Sequence, residues 1–307
     1  MAIAGLISTG SHPKLLWPGI YDTWGQDYGQ HPTEYTDLFD VHDSDKPFEE
    51  VLQITPFGIA PIKAEGAPGT YDSEIQGFLT RIAHTAYFLG YVVTFEELRD
   101  NLYKEVATRR AGANAFSVHV SVETVAAFLW NNAFVSTYFT TGDGLALGSA
   151  AHLNATGGTF SNILSPAADL SEAALEDACV QIMGYTNDRG LQIPIMPQSL
   201  HVSRQEWFNA NRIMKSVLQP DTASNNINVL KATNSIPKGI KLNHYFNVAH
   251  AWFLRTNCPN GMYFFWRDRP QFDMDNDYDT KNAKAGTYFR FSVTVGDPKC
   301  FFGSNGP

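Results

Sequence analysis

Thr94-Phe95-Glu96-Glu97 sets a hydroxyl three residues before a carboxylate, the reciprocal pattern that starts a helix. Leu98, Leu102, Val106 and Ala107 follow at helical spacing. Beyond Gly112, the residues Val118, Val122, Val125, Ala126, Leu129 and Ala133 resume the same period. The spacing predicts one long helix over about 95–136, open to a break at Gly112. At 1.5 Å per residue it would run ~60 Å, longer than a compact domain of this size needs. Such a helix is a spine, and the rest of the chain has to be arranged on it.

Two segments before the spine cannot be stable alone. Residues 48–60, FEEVLQITPFGIA, are strand-like, with Pro56 and Gly58 as interruptions. PIKAEGAPGTYD follows as a loop tip, marked by Pro61, Gly66, Pro68 and Gly69. The return from Glu74 to Thr94 is strand-like again and ends in YFLGYVV. This predicts a long two-stranded ribbon, which is marginal in water and needs something to lie on. The first ~45 residues show no period. Trp17, Tyr21, Trp24, Tyr28 and Tyr35 are spread among Pro, Gly, Asp and His, an extended arm with large anchors. The residues weigh two readings equally: a strap over its own domain, or an arm laid on a neighbouring subunit.

After the spine the order is mixed. A Gly-, Ser- and Thr-rich loop precedes Asp169-Leu170-Ser171-Glu172, a helix start with Asp169 as cap and Gly184 as stop. LQIPIMPQSLHVS reads as a strand. Ser203-Arg204-Gln205-Glu206 repeats the capping pattern, and its helix carries Trp207, Ala210, Met214 and Val217 inward. From about 242 the chain is β-rich. AWFLRT and MYFFWRD are split by a turn at Asn257–Gly261, and TYFRFSVTV alternates with Phe289, Phe291, Val293 and Val295 on one face. Strands, then a long helix, then mixed elements make an α+β pattern and not a doubly wound sheet.

Motifs for chemistry are missing from the sequence. It has no phosphate-cradling glycine loop, no HExxH and no CxxC, and Cys179, Cys258 and Cys300 read as reduced small hydrophobes. Ser149 and His152 lie close, but without a nucleophile elbow or an acid placed by spacing. Asp273, Asp275, Asp277 and Asp279 suggest a calcium loop, yet no frame supplies the glycine and glutamate an EF-hand needs. They read as a solvated acidic turn. No catalytic residue, metal ligand or cofactor is expected. The net charge of −9 argues against a protein that chiefly grips phosphate backbones, and no apolar run is long enough to span a membrane. Only 17% of residues are charged and 13% are aromatic. That is an unusual surface for a free monomer and suits one buried against partners.

Five segments in order resemble the major capsid proteins of tailed phages. They are KPFEEVLQITPFGIAPIKAEGAPGTYDSE, GYVVTFEELRDNLYKEVATRRA, DGLALGSAAH with GGTFSNILSPAADLSEAALEDA, RGLQIPIMPQSLHVSRQEWFNANRIMKS, and VAHAWFLRTNCPNGMYFFWRDRPQFDMDNDYDT with the closing FFGS. Gly148 and Ala150 depart from the commonest form of the third. The pattern is most similar to the head subunits of Mu-like phages.

The resemblance implies a Hong-Kong-97-type fold: an amino-terminal arm (1–45), an extended β loop (46–94), a spine helix and peripheral domain (95–160), an axial domain with peripheral strands interleaved (161–270) and a return to the peripheral domain (271–307). It implies a structural protein that self-assembles through hexamers and pentamers into an icosahedral shell around double-stranded DNA. Such a shell belongs to a virion assembled in the bacterial host cytoplasm. The arm begins within a few residues of Met1, so a separate scaffold protein is expected, with a portal and decoration proteins as further partners. Candidate subunit-interface residues are Trp17, Trp24 and Tyr35 in the arm, Lys63 and Glu65 at the ribbon tip, and Arg99, Arg109 and Arg110 on the spine. Lys63 has no marked Asn and acid to support a covalent cross-link. Alternatives are a nanocompartment shell of the same fold, a hydrolase using the acidic turn, and a virion-surface binding module.

Overall fold

The computed structural model describes residues 17–99, 103–219 and 226–306. The elements run α1 (Trp17–Gln30), α2 (Tyr35–Leu38), β1 (Asp40–Asp43), β2 (Phe48–Thr55), β3 (Ile75–Ala83), β4 (Thr85–Val93), α3 (Phe95–Arg99) and α4 (Tyr103–Asn131). There follow β5 (His152–Leu153), β6 (Thr159–Phe160), α5 (Glu172–Met183), β7 (Pro197–Val202), α6 (Trp207–Lys215), α7 (Val229–Ala232) and β8 (Ile240–Leu242). The chain closes with β9 (Trp252–Thr256), β10 (Met262–Asn276), β11 (Ala283–Val295) and β12 (Phe301–Ser304).

Two four-stranded sheets organise this α+β fold, in the orders β1-β10-β11-β4 and β12-β9-β7-β8. The long β10–β11 hairpin is the backbone of the first sheet, with β4 antiparallel on one side and β1 parallel on the other. The spine α4 packs Val118, Val122 and Trp130 into a core shared with Phe264, Phe289, Phe291 and Val295. The predicted face of β11 is therefore inward. The second sheet is buried on both sides. Phe253 and Phe301 join the spine's core, while their neighbours Trp252, Leu254 and Phe302 pack with α5, α6 and α7 in a second core. Period-two alternation divides one sheet between two hydrophobic clusters.

Among the described residues the spine comprises α3 and α4; α4 spans 29 residues, ~43 Å, and ends at Asn131 and not near 136, while residues 100–102 lie outside the described residues. The capping pattern at its start does form: Glu97 N donates to Thr94 Oγ1 and Thr94 N to Glu97 Oε2, each at 3.3 Å. Gly112 lies inside α4. A Cβ there would run into Asp27 of α1, so the glycine lets two helices cross closely.

The expectation of an extended arm is corrected for residues 17–30, which form α1. Pro18 falls in the first turn, where a missing N–H costs nothing. Gly25 and Gly29 weaken propensity, but packing of Ile20 and Trp24 against the spine outweighs it. Residues 1–16 lie outside the described residues. The 46–94 boundary is also corrected. Only β2 and β3 make the ribbon, and after His84 the chain turns into β4 at the margin of the first sheet. At 270/271 β10 runs unbroken in the first sheet, and β12 pairs in the second sheet.

Two caps differ from expectation. Ser171, not Asp169, caps α5 by accepting from Ala174 N at 3.2 Å. The Ser203–Glu206 pattern does not cap α6, because Ser203 Oγ is spent on the Ala249 carbonyl at 3.1 Å. The helix then ends at Lys215, which leaves Val217 outside it and exposed.

Candidate assembly surface

The strap comes first. Trp24 is buried, and its ring stacks on Phe272 and Tyr28 at 5.6 and 5.1 Å. Its Nε1 donates to Asn114 Oδ1 at 3.0 Å, and Asn114 Nδ2 donates to the Leu89 carbonyl at 2.9 Å. One spine residue thus satisfies the strap and the margin strand β4 together. Tyr35 is also buried, 4.6 Å from the Phe264 ring. The reading of Trp24 and Tyr35 as anchors on a neighbour is corrected: both rings are consumed in their own subunit. The side chain of Trp17 lies outside the described residues.

The strap is pinned by a buried carboxylate. Glu123, 1% exposed, accepts from the backbone N–H groups of Glu34 and Tyr35, both at 2.9 Å. Burial outweighs these bonds and pushes its pKa up to about 7, with Glu34 and Asp37 adding repulsion. Glu34 in turn holds His244 through its ring and its backbone N–H. One turn back on the spine, His119 is held below its usual range by burial and then by His31, 5.3 Å away.

On the spine, Arg110 turns inward along its own chain. It pairs with Glu97 at 3.0 Å and donates to the Val92 carbonyl at 3.1 Å, joining α3, α4 and β4. That corrects its assignment as an outward-facing interface charge. Arg109 is exposed, as expected. The Arg99 side chain lies outside the described residues.

The ribbon is where apolar surface is left bare. Ile59 is 79% exposed, Ile62 fully exposed and Tyr71 96%. Lys63 and Glu65 stand exposed at the tip among them. The end of the β2–β3 ladder from which the tip loop springs, in contrast, is fastened. Asp188 accepts from Thr55 Oγ1 at the end of β2 and pairs with Lys299, both at 3.4 Å. Arg189 pairs with Asp72 at 2.5 Å and donates to the Ser73 carbonyl just before β3. Consecutive residues of one loop therefore grip both strands. Beneath them is a cleft of about 580 Å³ walled by Ile54, Pro56, Ile193 and Pro259, with Lys299 and Asp297 at its floor. Lys299 is 3% exposed, and burial raises the Asp297 carboxyl despite the ammonium beside it. Sequence reasoning missed Asp188, Arg189 and Lys299. Their partners lie over a hundred positions away, so spacing carries no signal.

Ser149 and His152 form no nucleophilic pair. His152 Nδ1 faces Asp143 Oδ2 at 2.7 Å and Nε2 faces the Leu147 carbonyl at 3.0 Å, which commits both nitrogens. Asp143 also accepts from Leu145 N, Leu153 N and Thr141 Oγ1. Burial would raise this carboxyl, but the bonds from His152 and Thr141 win and hold it well below the usual range. The cluster staples the 141–162 loop. In the acidic segment, Asp273 accepts from Tyr21 at 3.0 Å and Asp277 pairs with Lys284 at 2.7 Å. Among the described residues no group of His, Cys, Asp and Glu could hold a metal ion. Among the same residues no helix is long and apolar enough to cross a membrane.

The candidate interface residues thus do not converge on one site. Trp24 and Tyr35 stabilise the subunit, Arg110 braces the spine, and Lys63, Glu65 and Arg109 remain on the surface.

No family model matches the sequence, and no curated protein matches it. Solved structures do resemble the fold. The virus-like particle from Pyrococcus furiosus is 11% identical, with 93% of this chain and 97% of that chain covered and a TM-score of 0.54. The capsid of Myoviridae phage XM1 is 11% identical, with 90% and 93% covered and a TM-score of 0.52. The SrpI encapsulin from Synechococcus elongatus PCC 7942 is 9% identical, with 90% and 88% covered and a TM-score of 0.52. The chain has the Hong-Kong-97-type fold of capsid and encapsulin shell subunits.

Proposed function

We propose that this chain is the major capsid protein of a tailed phage, a structural protein whose copies close an icosahedral shell around double-stranded DNA. The observation that carries this reading is the ribbon. It presents Ile59, Ile62 and Tyr71 to solvent on the loop that joins β2 to β3. Water-exposed apolar side chains on a projecting ribbon are stabilised when a second subunit covers them. A ring of such contacts closes by rotation into five- and six-fold capsomers. In this reading the first sheet and spine form the peripheral domain, and the second sheet with α5, α6 and α7 forms the axial domain. Lys63, Glu65 and Arg109 are then interface residues. The sequence pattern resembles that of head subunits of Mu-like phages. A separate scaffold, a portal and decoration proteins complete the particle, built in the host cytoplasm.

Electron microscopy of the purified chain tests this. Rings, tubes or closed shells are expected. A monodisperse monomer at high concentration, with the ribbon protected from exchange, counts against it.

The likeness to the SrpI encapsulin favours a second reading, a nanocompartment shell. The content of particles isolated from the native host separates the two. Nuclease-protected double-stranded DNA marks a phage head, and enclosed protein without nucleic acid marks a compartment.

A further inference from the structure

The floor of the cleft beside the ribbon holds a charge that its neighbours serve poorly. Lys299 is buried in the turn before β12. Among the described residues its ammonium makes one hydrogen bond, to Asp188 Oδ1 at 3.4 Å. A second carboxylate oxygen, Asp297 Oδ1, stands 3.9 Å away, and the Phe160 ring lies over the nitrogen at 4.4 Å. A charge-assisted bond from an ammonium normally closes to about 2.7–2.9 Å. This one is out of water, between two carboxylates and beneath an aromatic ring, with no short bond to either acid. Desolvation of that kind outweighs attraction unless the geometry is good.

The groups are nevertheless held in contact. Lys299 N donates to Asp297 Oδ1 at 2.9 Å, and the Lys299 carbonyl accepts from Thr256 Oγ1 at 2.8 Å. The loop bearing Asp188 is closed by Asn187, whose N–H donates to the Leu191 carbonyl at 2.8 Å. Asn187 Oδ1 accepts from Arg189 N and Leu191 N, both at 2.9 Å. Thr55 Oγ1 donates to the other oxygen of Asp188. Holding a nitrogen beside a carboxyl in this way replaces a bimolecular encounter with an intramolecular one, which lowers the barrier to their reaction.

We propose that Lys299 and Asp188 condense into an isopeptide bond within one subunit, with Asp297 carrying the protons. Asp297 passes one ammonium proton to Asp188, which leaves an amine facing a carboxylic acid. Nζ attacks Cγ of Asp188. Asp297 takes a second proton from the nitrogen and gives it to the departing hydroxyl. The Cγ–O bond breaks, one water is released, and the Nζ–Cγ bond remains. Asp297 ends as it began, and no oxidant, reductant or further reactant enters. Burial raises the Asp297 carboxyl, which favours the protonated form the relay passes through. The cleft is lined by all three side chains and gives the water an exit. The product exchanges two buried charges for a neutral amide. It ties the loop that grips the ribbon to the segment before β12, and it needs no second subunit, so it stands apart from the capsid reading.

Mass spectrometry of the full-length chain, kept folded and then denatured, tests this. The parent should be lighter than its sequence mass by one water. Trypsin should fail to cut after Lys299, and the digest should contain a branched peptide joining the stretches around Asp188 and Lys299. Lys299→Arg and Asp188→Ala should each restore the full mass. Asp297→Asn keeps both joined groups, and its bonded fraction at the same age should be at least tenfold lower. Should the variants fail to fold, the peptide map of the parent decides alone. A parent of full sequence mass that trypsin cuts after Lys299 overturns the proposal and leaves an ordinary ion pair. A water loss that maps to other residues overturns it as well. An Asp297→Asn chain that bonds as completely as the parent overturns the proton relay.

Discussion

Arg189 closes on Asp72 across the mouth of the ribbon, Nη1 to Oδ2 at 2.5 Å, from a loop more than a hundred residues further along the chain. The same Asp72 oxygen accepts from Gly58 N at 2.8 Å, so one carboxylate joins the outgoing and returning sides of the tip to the loop after α5. Those backbone bonds from Gly58 and Ser73, and then Arg189, hold its carboxyl below the usual range. The latch should therefore persist until pH falls below that range, and open as Asp72 protonates.

Arg189→Ala should free the ribbon without unfolding the subunit. Amide exchange at Gly58 and Ser73 should speed up, while the melting midpoint stays within error of the parent. Unchanged exchange at both positions would show that the tip is held by something other than this pair.

Trp24→Ala should destabilise the isolated subunit by ~3–5 kcal/mol, since it empties a buried aromatic site and removes one of two donors to Asn114 Oδ1, leaving Thr287 Oγ1. Deleting residues 1–35 strips Trp24 and Tyr35 from their cores, so that truncated chain should fail to fold. A deletion ending before Trp17 removes none of these contacts. Urea denaturation of the three variants decides the matter. A stable 36–307 chain would return the strap to a purely intersubunit role.

Local signals were legible wherever short-range spacing decides structure. The Thr94–Glu97 cap, the apolar stripe of the spine and the alternation of Phe289, Phe291 and Val295 all read directly from neighbours within a few residues. The helix at 17–30 was not legible. Its glycines and proline argue against it locally, and what stabilises it is the spine 90 residues away. The same holds for Ser203, whose hydroxyl is drawn to Ala249 instead of a cap. The candidate interface was half legible. Composition raises the expectation of a partner surface, but whether a given Trp or Arg serves its own subunit depends on tertiary neighbours. Trp24 and Arg110 turn out to serve their own.

The Glu123 carboxyl gives the strap a pH dependence with a definite sign. Its folded pKa of about 7 lies above the unfolded value near 4.5, so the ionised form costs stability. Stability from this group is fully present below about pH 4.5 and is lost as pH rises through about 7. The difference is worth roughly 3 kcal/mol, at ~1.4 kcal/mol per pKa unit. His119, held low, contributes the opposite slope below its ordinary value. The parent minus Glu123→Gln difference isolates the carboxyl. It should slope between pH 5 and 7 and be flat above 8. A difference that does not vary with pH would mean Glu123 titrates normally in the fold.

His152→Ala leaves the buried Asp143 carboxylate without the ring nitrogen it bonds, and removing one hydrogen-bond partner of a buried charged group costs ~3 kcal/mol. The 141–162 loop should lose exchange protection first. The paired change Asp143→Asn with His152→Gln should recover part of the loss, because neutral amides can keep some of the hydrogen bonds. If His152→Ala alone is as stable as the parent, the loop does not depend on this cluster.

Arg109 and Arg110 are adjacent in sequence and should behave as opposites. Arg110 braces the junction of α3, α4 and β4 through Glu97 and the Val92 carbonyl, so Arg110→Glu places two carboxylates together there. Its melting midpoint should drop, and Glu97→Arg in the same chain should restore it. Arg109 is exposed, so Arg109→Glu should leave melting nearly unchanged, within about 0.5 kcal/mol. In the capsid reading its cost appears only on assembly. Shell yield should fall, and added salt should reproduce part of that fall in the parent by screening the same pairing. Differential scanning calorimetry of the subunits and sedimentation of assembled particles separate the two effects. An Arg109→Glu chain that assembles as well as the parent at every salt concentration takes Arg109 out of the interface.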